Sequence, residues 1–480
     1  MLKIYWFRKD LRLDDNTALF AFFKNSGPDD KLSFIYIKNR NSFHYFGEKR
    51  VAFIAECLQD LSDSLRKFGY ELQIFEGKSE DVFRRIVHEQ NGIELYFNKQ
   101  VEPYCIERDE KVTETISNAG GSVYSFDDTT LMKPGSVTNL DGGQYKVYTP
   151  FKNQVLKQIS NGDFEVRKVD FKKDFAEQIF PEKKNSFSFS YSENVVFKGG
   201  RKEGLKLLKE FYSSGISIYK SRRDFPDIKG TSGLSAHFHF GTVSIREAYR
   251  AALKKLNDCG NEQEKNEVQT WINELLWREF YYHITFSNPQ IAYSSFKVEY
   301  DNVQWNVNEG QFNAWCEGKT GYPIVDAGMR QLKEEGWMHN RVRMITAMFL
   351  TKDLLIDWRL GEKYFAEHLI DLDFSSNNGG WQWSASTGVD AQPYFRIFNP
   401  YLQSKKFDAE GNYIKKYVKE LKEAAAEHIH EPNKMDAELQ KKYGVKIGID
   451  YPFPIVDHKK AKDEVLKRFG NVTGKIQAEL

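Results

Sequence analysis

Over roughly the first 130 residues, short apolar runs alternate with segments of helical spacing. The runs at 2–7, 32–37, 72–75, 93–97 and 122–126 are apolar almost throughout, and the segments 48–67, 79–90 and 103–119 carry helical spacing between them. Continuous apolar strands alternating with helices predict a parallel sheet covered on both faces, with any ligand beyond the carboxyl ends of the strands. From about 131 to 198 the periodicity lapses. LMKPGSVTNLDGGQY (131–145) is turn-rich and NSFSFSYSEN (185–194) alternates polar and aromatic residues, so a long surface connector is expected. After 199 the spacing is helical, with helices predicted near 201–213, 242–256, 262–286, 308–316, 323–335, 340–357 and 361–370, and the clearest helix of the tail at 415–429. The expected fold class is α/β plus all-α: a doubly wound parallel-sheet domain at 1–131, a connector at 132–198 and a helical domain at 199–480.

Length supports that division, since 480 residues exceed what one ordinary core organises. Aromatic residues at 15% point to ring stacking beyond the needs of packing. A net charge of +1 means that nucleic-acid binding must come from a local patch. Cys57, Cys105, Cys259 and Cys316 are scattered without a CxxC pair, which suits reduced intracellular thiols and argues against structural zinc. The chain opens directly on a strand rather than a leader, and no apolar run nears the ~18 residues of a membrane span. A cytoplasmic protein is expected.

Eight of the nine tryptophans fall between 271 and 383, among acids, arginines and amides. In WINELLWREFYYH (271–283), helical rotation puts Trp271, Glu274, Trp277 and Arg278 within a wedge of about 120°. That wedge is either a ligand surface or a Glu274–Arg278 ion pair between core tryptophans. In MHNRVRM (338–344), Asn340 and Met344 lie one turn apart and Arg341 and Arg343 can meet phosphates; alternatively Asn340 caps the helix and Met344 fills core. DLDFSSNNGGWQW (371–383) has the Asp, Ser, Asn and Gly density of a tightly turning backbone that approaches a ligand, or of a plain loop, and ends in Trp381 and Trp383. Thr231, Ser232, Gly233, Leu234 and Ser235 precede an apolar segment and offer hydroxyls and amides to a pyrophosphate, or simply a cap. His237 and His239 lack a third ligand and are read as packing residues, so no metal is expected. After the first strand, RKDLRLDDN (8–16) replaces GxGxxG, which excludes an ordinary dinucleotide site; this loop is either a ligand contact or a solvated turn with internal ion pairs.

Read together, these segments resemble the photolyase/cryptochrome family of flavoproteins, most closely its class I cyclobutane pyrimidine dimer photolyases. WxNELxWREFY, MHNRxRM, IDWRxGE and NNGGWQWxASTGxDAxPYFRIFNP occur in order, and the resemblance covers almost the whole chain. It implies FAD held by Tyr219, residues 231–235, Trp271, Arg278, Asn340, Arg343, Asp371, Asp373 and Asn377, the last near flavin N5. It implies electron transfer through Trp381, Trp358 and Trp305, and a flipped pyrimidine dimer from UV-damaged DNA met by Glu274, Trp277, Asn340, Met344 and Trp383. Lys220, Arg222, Arg223, Arg341, Lys405 and Lys406 are the basic candidates for DNA phosphates. Asn340 stands where the (6-4) photolyases carry histidine, and Met344 and Trp383 where DASH cryptochromes carry Gln and Tyr. Asn377 stands where plant cryptochromes carry Asp. The implied activity is light-driven dimer splitting by a monomer, with a cryptochrome-like photoreceptor as the alternative. The family's α/β domain can also hold a second antenna chromophore, whose identity this sequence does not name.

Overall fold

The computed structural model describes residues 1–39, 47–90, 92–159, 166–171, 175–177, 180 and 196–473, so the 185–194 stretch lies outside the described residues. Strands β1 (Leu2–Phe7), β2 (Lys31–Lys38), β3 (Leu72–Glu76), β4 (Glu94–Asn98) and β5 (Ser122–Phe126) form the expected parallel sheet in the order β3-β2-β1-β4-β5. A two-residue strand, Ala176–Glu177, pairs with the start of β2. β1 is buried at every position, as a central strand with helices on both faces must be. The order reverses between β1 and β4, and the 8–16 loop leaves β1 at that point.

The charged loop is not a solvated turn. Arg12, Asp15, Asp128 and Arg246 are all buried, with Arg12 paired to Asp128, and Arg246 to Asp128 at 2.7 Å and to Asp15 at 3.3 Å. Burial alone would raise the Asp128 carboxyl, but the guanidinia of Arg12 and Arg246 hold it far below its ordinary value. The ion pairs foreseen there are internal and desolvated, because Arg246 arrives from a helix more than 200 residues later.

Two compact units emerge, one of Met1–Ser217 with Ser232–Pro289, the other of Ile218–Thr231 with Gln290–Leu480. This differs from the division drawn on the sequence. The helices Arg201–Glu210, Ile245–Asn257 and Glu262–Ser287 belong with the sheet, since buried side chains such as Arg246 and Glu279 bond to the sheet-side residues 15, 128, 131 and 132. The connector also holds a helix, Tyr148–Ile159, whose buried Tyr148, Phe151, Val155 and Ile159 recur at helical spacing.

The second unit is helical, built on Glu309–Glu317, Pro323–Glu335, Asn340–Met348, Trp358–His368, Phe374–Ala385 and His458–Thr473. The helix expected at 340–357 changes at Met348 into a wider turn, Phe349–Asp353, and the chain restarts at Trp358 behind the Asp357 cap. The 415–429 helix is in fact three pieces, Asn412–Tyr417, Lys419–Leu421 and Ala426–Ile429. Among the described residues no helix is long and apolar enough to cross a membrane.

Candidate active site

Within the second unit, MHNRVRM folds into the start of the Asn340–Met348 helix. Its cap is His339 rather than Asn340: His339 Nδ1 accepts from the Arg341 amide at 3.2 Å. Burial pulls the His339 pKa down to about 4, which keeps the imidazole neutral and able to accept. Asn340 is thus not used as the cap. It is exposed, with Nδ2 3.9 Å from Met344 Sδ, so the amide and thioether do come together. Arg343 donates to the Met338 carbonyl at 2.8 Å and forks onto Asp371 at 2.9 and 3.1 Å.

The 371–383 stretch is not a turning loop but mostly the helix Phe374–Ala385. Asp373 caps it by accepting from the Ser376 amide at 2.8 Å. The side chains that would compete with the backbone are occupied elsewhere. Asn377 Nδ2 donates to the Glu362 carbonyl at 3.3 Å, Asn378 Nδ2 to the Ile291 carbonyl at 3.0 Å, and Gln382 Nε2 to Asn378 Oδ1 at 2.9 Å. A hollow of about 140 Å³ lies against this helix, lined by Asn340, Arg343, Met344, Asp371, Asp373, Ser376, Asn377, Gly380 and Trp381, with Phe365 and Leu369 behind. A Cβ on Gly380 would meet nothing within 4 Å, so this glycine leaves space rather than relieving a clash. Trp383 is half-buried and absent from the lining.

Glu362, missed on the sequence, sits behind Asn377. Burial lifts its carboxyl to about 7, against a partial pull from the Asn378 hydrogen bond and Arg359. Its folded value lies above the ordinary 4.5, so its stabilisation is present at low pH and disappears as pH rises through about 7. Glu362→Gln is expected to remove that part of the slope, leaving the variant more heat-resistant than wild type above neutrality and similar in acid. Melting curves across pH check this.

Trp381 (2% exposed) and Trp358 (1% exposed) are core residues, and Trp305 is partly buried. An added Cβ at Gly361 would lie 2.2 Å from Trp381 Cη2, so the bare glycine lets Trp381 press on the helix that Trp358 opens. Next to Trp305, the Asn306 amide and Nδ2 bond to the carbonyls of Leu355 and Leu354, just before Trp358. Among the described residues the buried indole N–H groups of Trp305, Trp358 and Trp381 meet no acceptor, whereas the packing residue Trp315 donates to the Thr346 carbonyl at 3.1 Å. An unmet buried donor costs about 1–3 kcal/mol, so three in one series ask for a functional reason.

In the first unit, Trp277 lies flat on Tyr148, with ring centres 3.7 Å apart and planes 10° from parallel. Tyr148 Oη donates to the Asn273 carbonyl at 2.7 Å, which fixes the stack. The spacing of 148, 151, 155 and 159 marks the helix that carries Tyr148, though not its partner. Trp271 is buried against Phe211. Arg278 donates to the Thr129 carbonyl at 2.8 Å and to Tyr282 Oη at 2.9 Å, and Glu274 is partly buried. Ser232, Gly233 and Leu234 lead into a helix of only five residues, Ser235–His239, with the Leu234 amide donating to Ser232 Oγ at 3.4 Å. His237 Nδ1 bonds to Thr242 Oγ1 at 2.8 Å. At the carboxyl ends of β4 and β5 lies a cleft of about 500 Å³, walled by Phe97, Val101, Ile106, Pro134 and Phe286.

In the second unit, Tyr219 is buried with the Arg223 guanidinium 5.5 Å from its ring centre, and Thr231 is half-buried. Two of the basic candidates are committed locally, Arg341 to Asp224 at 2.9 Å and Lys405 to Glu431 at 2.7 Å. Arg223 lies 3.9 Å from Asp224, and Lys220, Arg222 and Lys406 are exposed.

Residues 3–170 match the DNA photolyase family, and residues 271–471 match the FAD binding domain of DNA photolyase. The chain is 39% identical to the deoxyribodipyrimidine photo-lyase of Escherichia coli, across 97% of this chain and 98% of that protein. Its fold is similar to a bacterial class III photolyase from Agrobacterium tumefaciens (TM-score 0.88, 36% identity, 98% of each chain). It is also similar to a cryptochrome of Synechocystis (TM-score 0.87, 27% identity, 98% of this chain and 99% of that one). The hollow beside Gly380 fits one end of FAD: amide and guanidinium donors at Asn377 and Arg343, carboxylate acceptors at Asp371 and Asp373, and Trp381 as an aromatic wall. At about 140 Å³ it is smaller than the roughly 300–1,000 Å³ of a whole-ligand pocket, and smaller than the room foreseen for folded cofactor and nucleotide together. On the matched domains, the near full-length identity and this fit, the chain belongs to the DNA photolyase/cryptochrome family of FAD-binding proteins.

Proposed function

We propose that this protein is a light-driven DNA repair enzyme that splits cyclobutane pyrimidine dimers. The observation carrying the reading is the Gly380 hollow, where Asn340, Met344 and Asn377 meet the innermost of three unpaired indoles. Reduced FAD, when bound, supplies one electron under blue light and recovers it once the dimer has opened. The protein's own part is recognition and electrostatics. A dimer must leave the duplex at a cost of a few kcal/mol, and a flat wall such as Trp277, held rigid by Tyr148, offsets part of it at about 1–3 kcal/mol per stacked base. Glu274 in its protonated form and the Asn340 amide would stabilise charge developing on pyrimidine carbonyls. Met344 adds a polarisable apolar contact. Trp383, outside the hollow's lining, is assigned to the substrate side alone. Asn377, Arg343, Asp371 and Asp373 hold the cofactor, with Tyr219 and residues 231–235 toward its phosphates. Exposed Lys220, Arg222 and Lys406 grip the DNA backbone, so binding weakens with salt. Trp381, Trp358 and Trp305 return the flavin to its reduced form. The cleft beyond β4 and β5 is the place offered to a second chromophore, and absorption beyond that of flavin in the purified protein tests it.

The test is illumination of the purified protein with dimer-containing DNA under reducing conditions. Dimers disappear in the light and persist in the dark if the reading is right. Glu274→Ala is expected to lower repair about 10–100-fold, as the loss of one transition-state hydrogen bond does, with flavin photoreduction unchanged. Equal repair by the variant would remove Glu274 from the chemistry. Likeness to a cryptochrome favours a second reading, a photoreceptor without repair activity. That reading predicts photoreduction with no light-dependent loss of dimers.

A further inference from the structure

Lys352 is fully buried in the turn Phe349–Asp353. Its Nζ donates to the Ala385 carbonyl, at the end of the Phe374–Ala385 helix, at 3.0 Å, and stands 3.7 Å from the centre of the Phe469 ring. No carboxylate pairs with it among the described residues; its neighbour Asp353 bonds instead to His458 Nδ1 at 2.6 Å. A buried ammonium without a counter-ion is costly, and lysine answers by giving up its proton. Phe469 in turn packs edge-on against Trp305, with ring centres 5.8 Å apart. One ring therefore separates this amine from the outermost of the three unpaired indoles.

We propose that the Lys352 amine sets how readily an oxidising hole rests at the outer end of the Trp381–Trp358–Trp305 series, and so makes light-driven flavin reduction depend on pH. The proposal rests on the reading of those tryptophans given above. Bound flavin, oxidised and excited by light, would draw one electron from Trp381, which Trp358 would refill and Trp305 would refill in turn. Trp305 would be the residue finally oxidised, balancing the one electron taken up by the flavin. The Trp305 radical cation then loses its indole proton to water and is restored by an added thiol. Because the buried Trp305 Nε1 has no acceptor among the described residues, the proton does not leave at once, and the hole persists as a cation that a nearby charge can act on. A neutral amine leaves that cation undisturbed. An ammonium less than about 10 Å away disfavours it on the order of tenfold at the effective dielectric of a protein.

Ion pairs on the packed elements join Asp353 with His458, Arg468 with Glu464 at 2.7 Å, and Asp301 with Arg359, while Glu299, Lys459, Lys460, Lys462, Asp463 and Lys467 are exposed to water. Tyr300 and Tyr394 also pack on Phe469, with ring centres 5.7 and 5.8 Å away. Burial alone drives the amine toward its neutral form, well below the ordinary lysine value, with no charged group contributing. A lysine lowered in this way loses stability as pH falls through its folded value, and the loss is absent only above its unfolded one.

The experiment uses the flavin-loaded protein without DNA, under blue light with dithiothreitol, and the protein without flavin for unfolding. Wild-type photoreduction is expected to quicken by about tenfold as pH rises through the amine's titration, while Lys352→Met stays flat near the upper rate. Flavin-free Lys352→Met is expected to melt above wild type, by a margin that widens as pH falls. A wild-type pH profile in Lys352→Met overturns the proposal. If that variant does not fold, Lys352→Gln and the lifetime of the tryptophan radical absorption in wild type read the same quantity, and a pH-independent lifetime overturns it equally. Trp305→Phe is the control: undiminished photoreduction there sinks the tryptophan series itself, whatever Lys352 does.

Discussion

Trp381→Phe is expected to slow light-driven flavin reduction by about two orders of magnitude or more, a barrier increase of about 2.7 kcal/mol, while folding and flavin binding survive. Phenylalanine keeps an aromatic wall for the hollow and for the edge-on contact with Phe365 at 4.9 Å, but is far harder to oxidise than indole. The lost N–H has no acceptor to leave unmatched, so the replacement forfeits no hydrogen bond. Time-resolved absorption after a blue flash, beside a thermal melt, checks both halves. A variant reduced as fast as wild type would mean that electrons reach the cofactor by another path. Repair by protein already reduced with dithionite should be little affected, because the proposed role of Trp381 is to regenerate the reduced flavin and not to split the dimer.

The second large effect concerns a residue with no side chain. Gly361→Ala is expected to destabilise the protein by about 1–3 kcal/mol through overpacking. The new methyl would sit 2.2 Å from Trp381 Cη2 and 2.6 Å from Leu350 Cδ2, neither of which can yield without moving a packed core. Alanine's helical advantage of about 0.5–1 kcal/mol over glycine recovers only part of that loss. Relief requires the indole to shift, so weaker flavin retention and slower photoreduction should accompany the lower denaturation midpoint. Gly380→Ala makes the contrast, since its Cβ would meet no protein atom. That variant should keep its midpoint in the absence of flavin.

The sheet was legible because β1 to β4 are almost unbroken runs of Leu, Ile, Phe and Tyr, and a doubly covered strand has little freedom to be anything else. The Asn340–Met344 pairing was legible for a similar reason, since one helical turn permits few arrangements. What escaped was decided over long distances. The 374–385 helix reads as a loop because Asn377, Asn378, Gly379 and Gly380 favour turns locally, and only the bonds of the two asparagines to Glu362 and Ile291 release the backbone for helix. The His339 cap was hidden by the better-known capping residue beside it. The Tyr148–Trp277 stack joins residues 129 apart, and no local spacing announces a partner at that distance. Lys352 stood unremarked in a hydrophobic helix, where a single lysine normally extends its amine to water.

The long reach from Asp15 to Arg246 has a consequence for synthesis. A ribosome delivers the five strands of the sheet well before it delivers the helix Ile245–Asn257. Until then Asp15 lacks the guanidinia of both Arg246 and Arg250, and Asp128 has one of its two. Nascent chains arrested before residue 246 should therefore remain open to protease around the first strand, and become resistant once synthesis has run far enough for Arg246 and Arg250 to emerge from the exit tunnel.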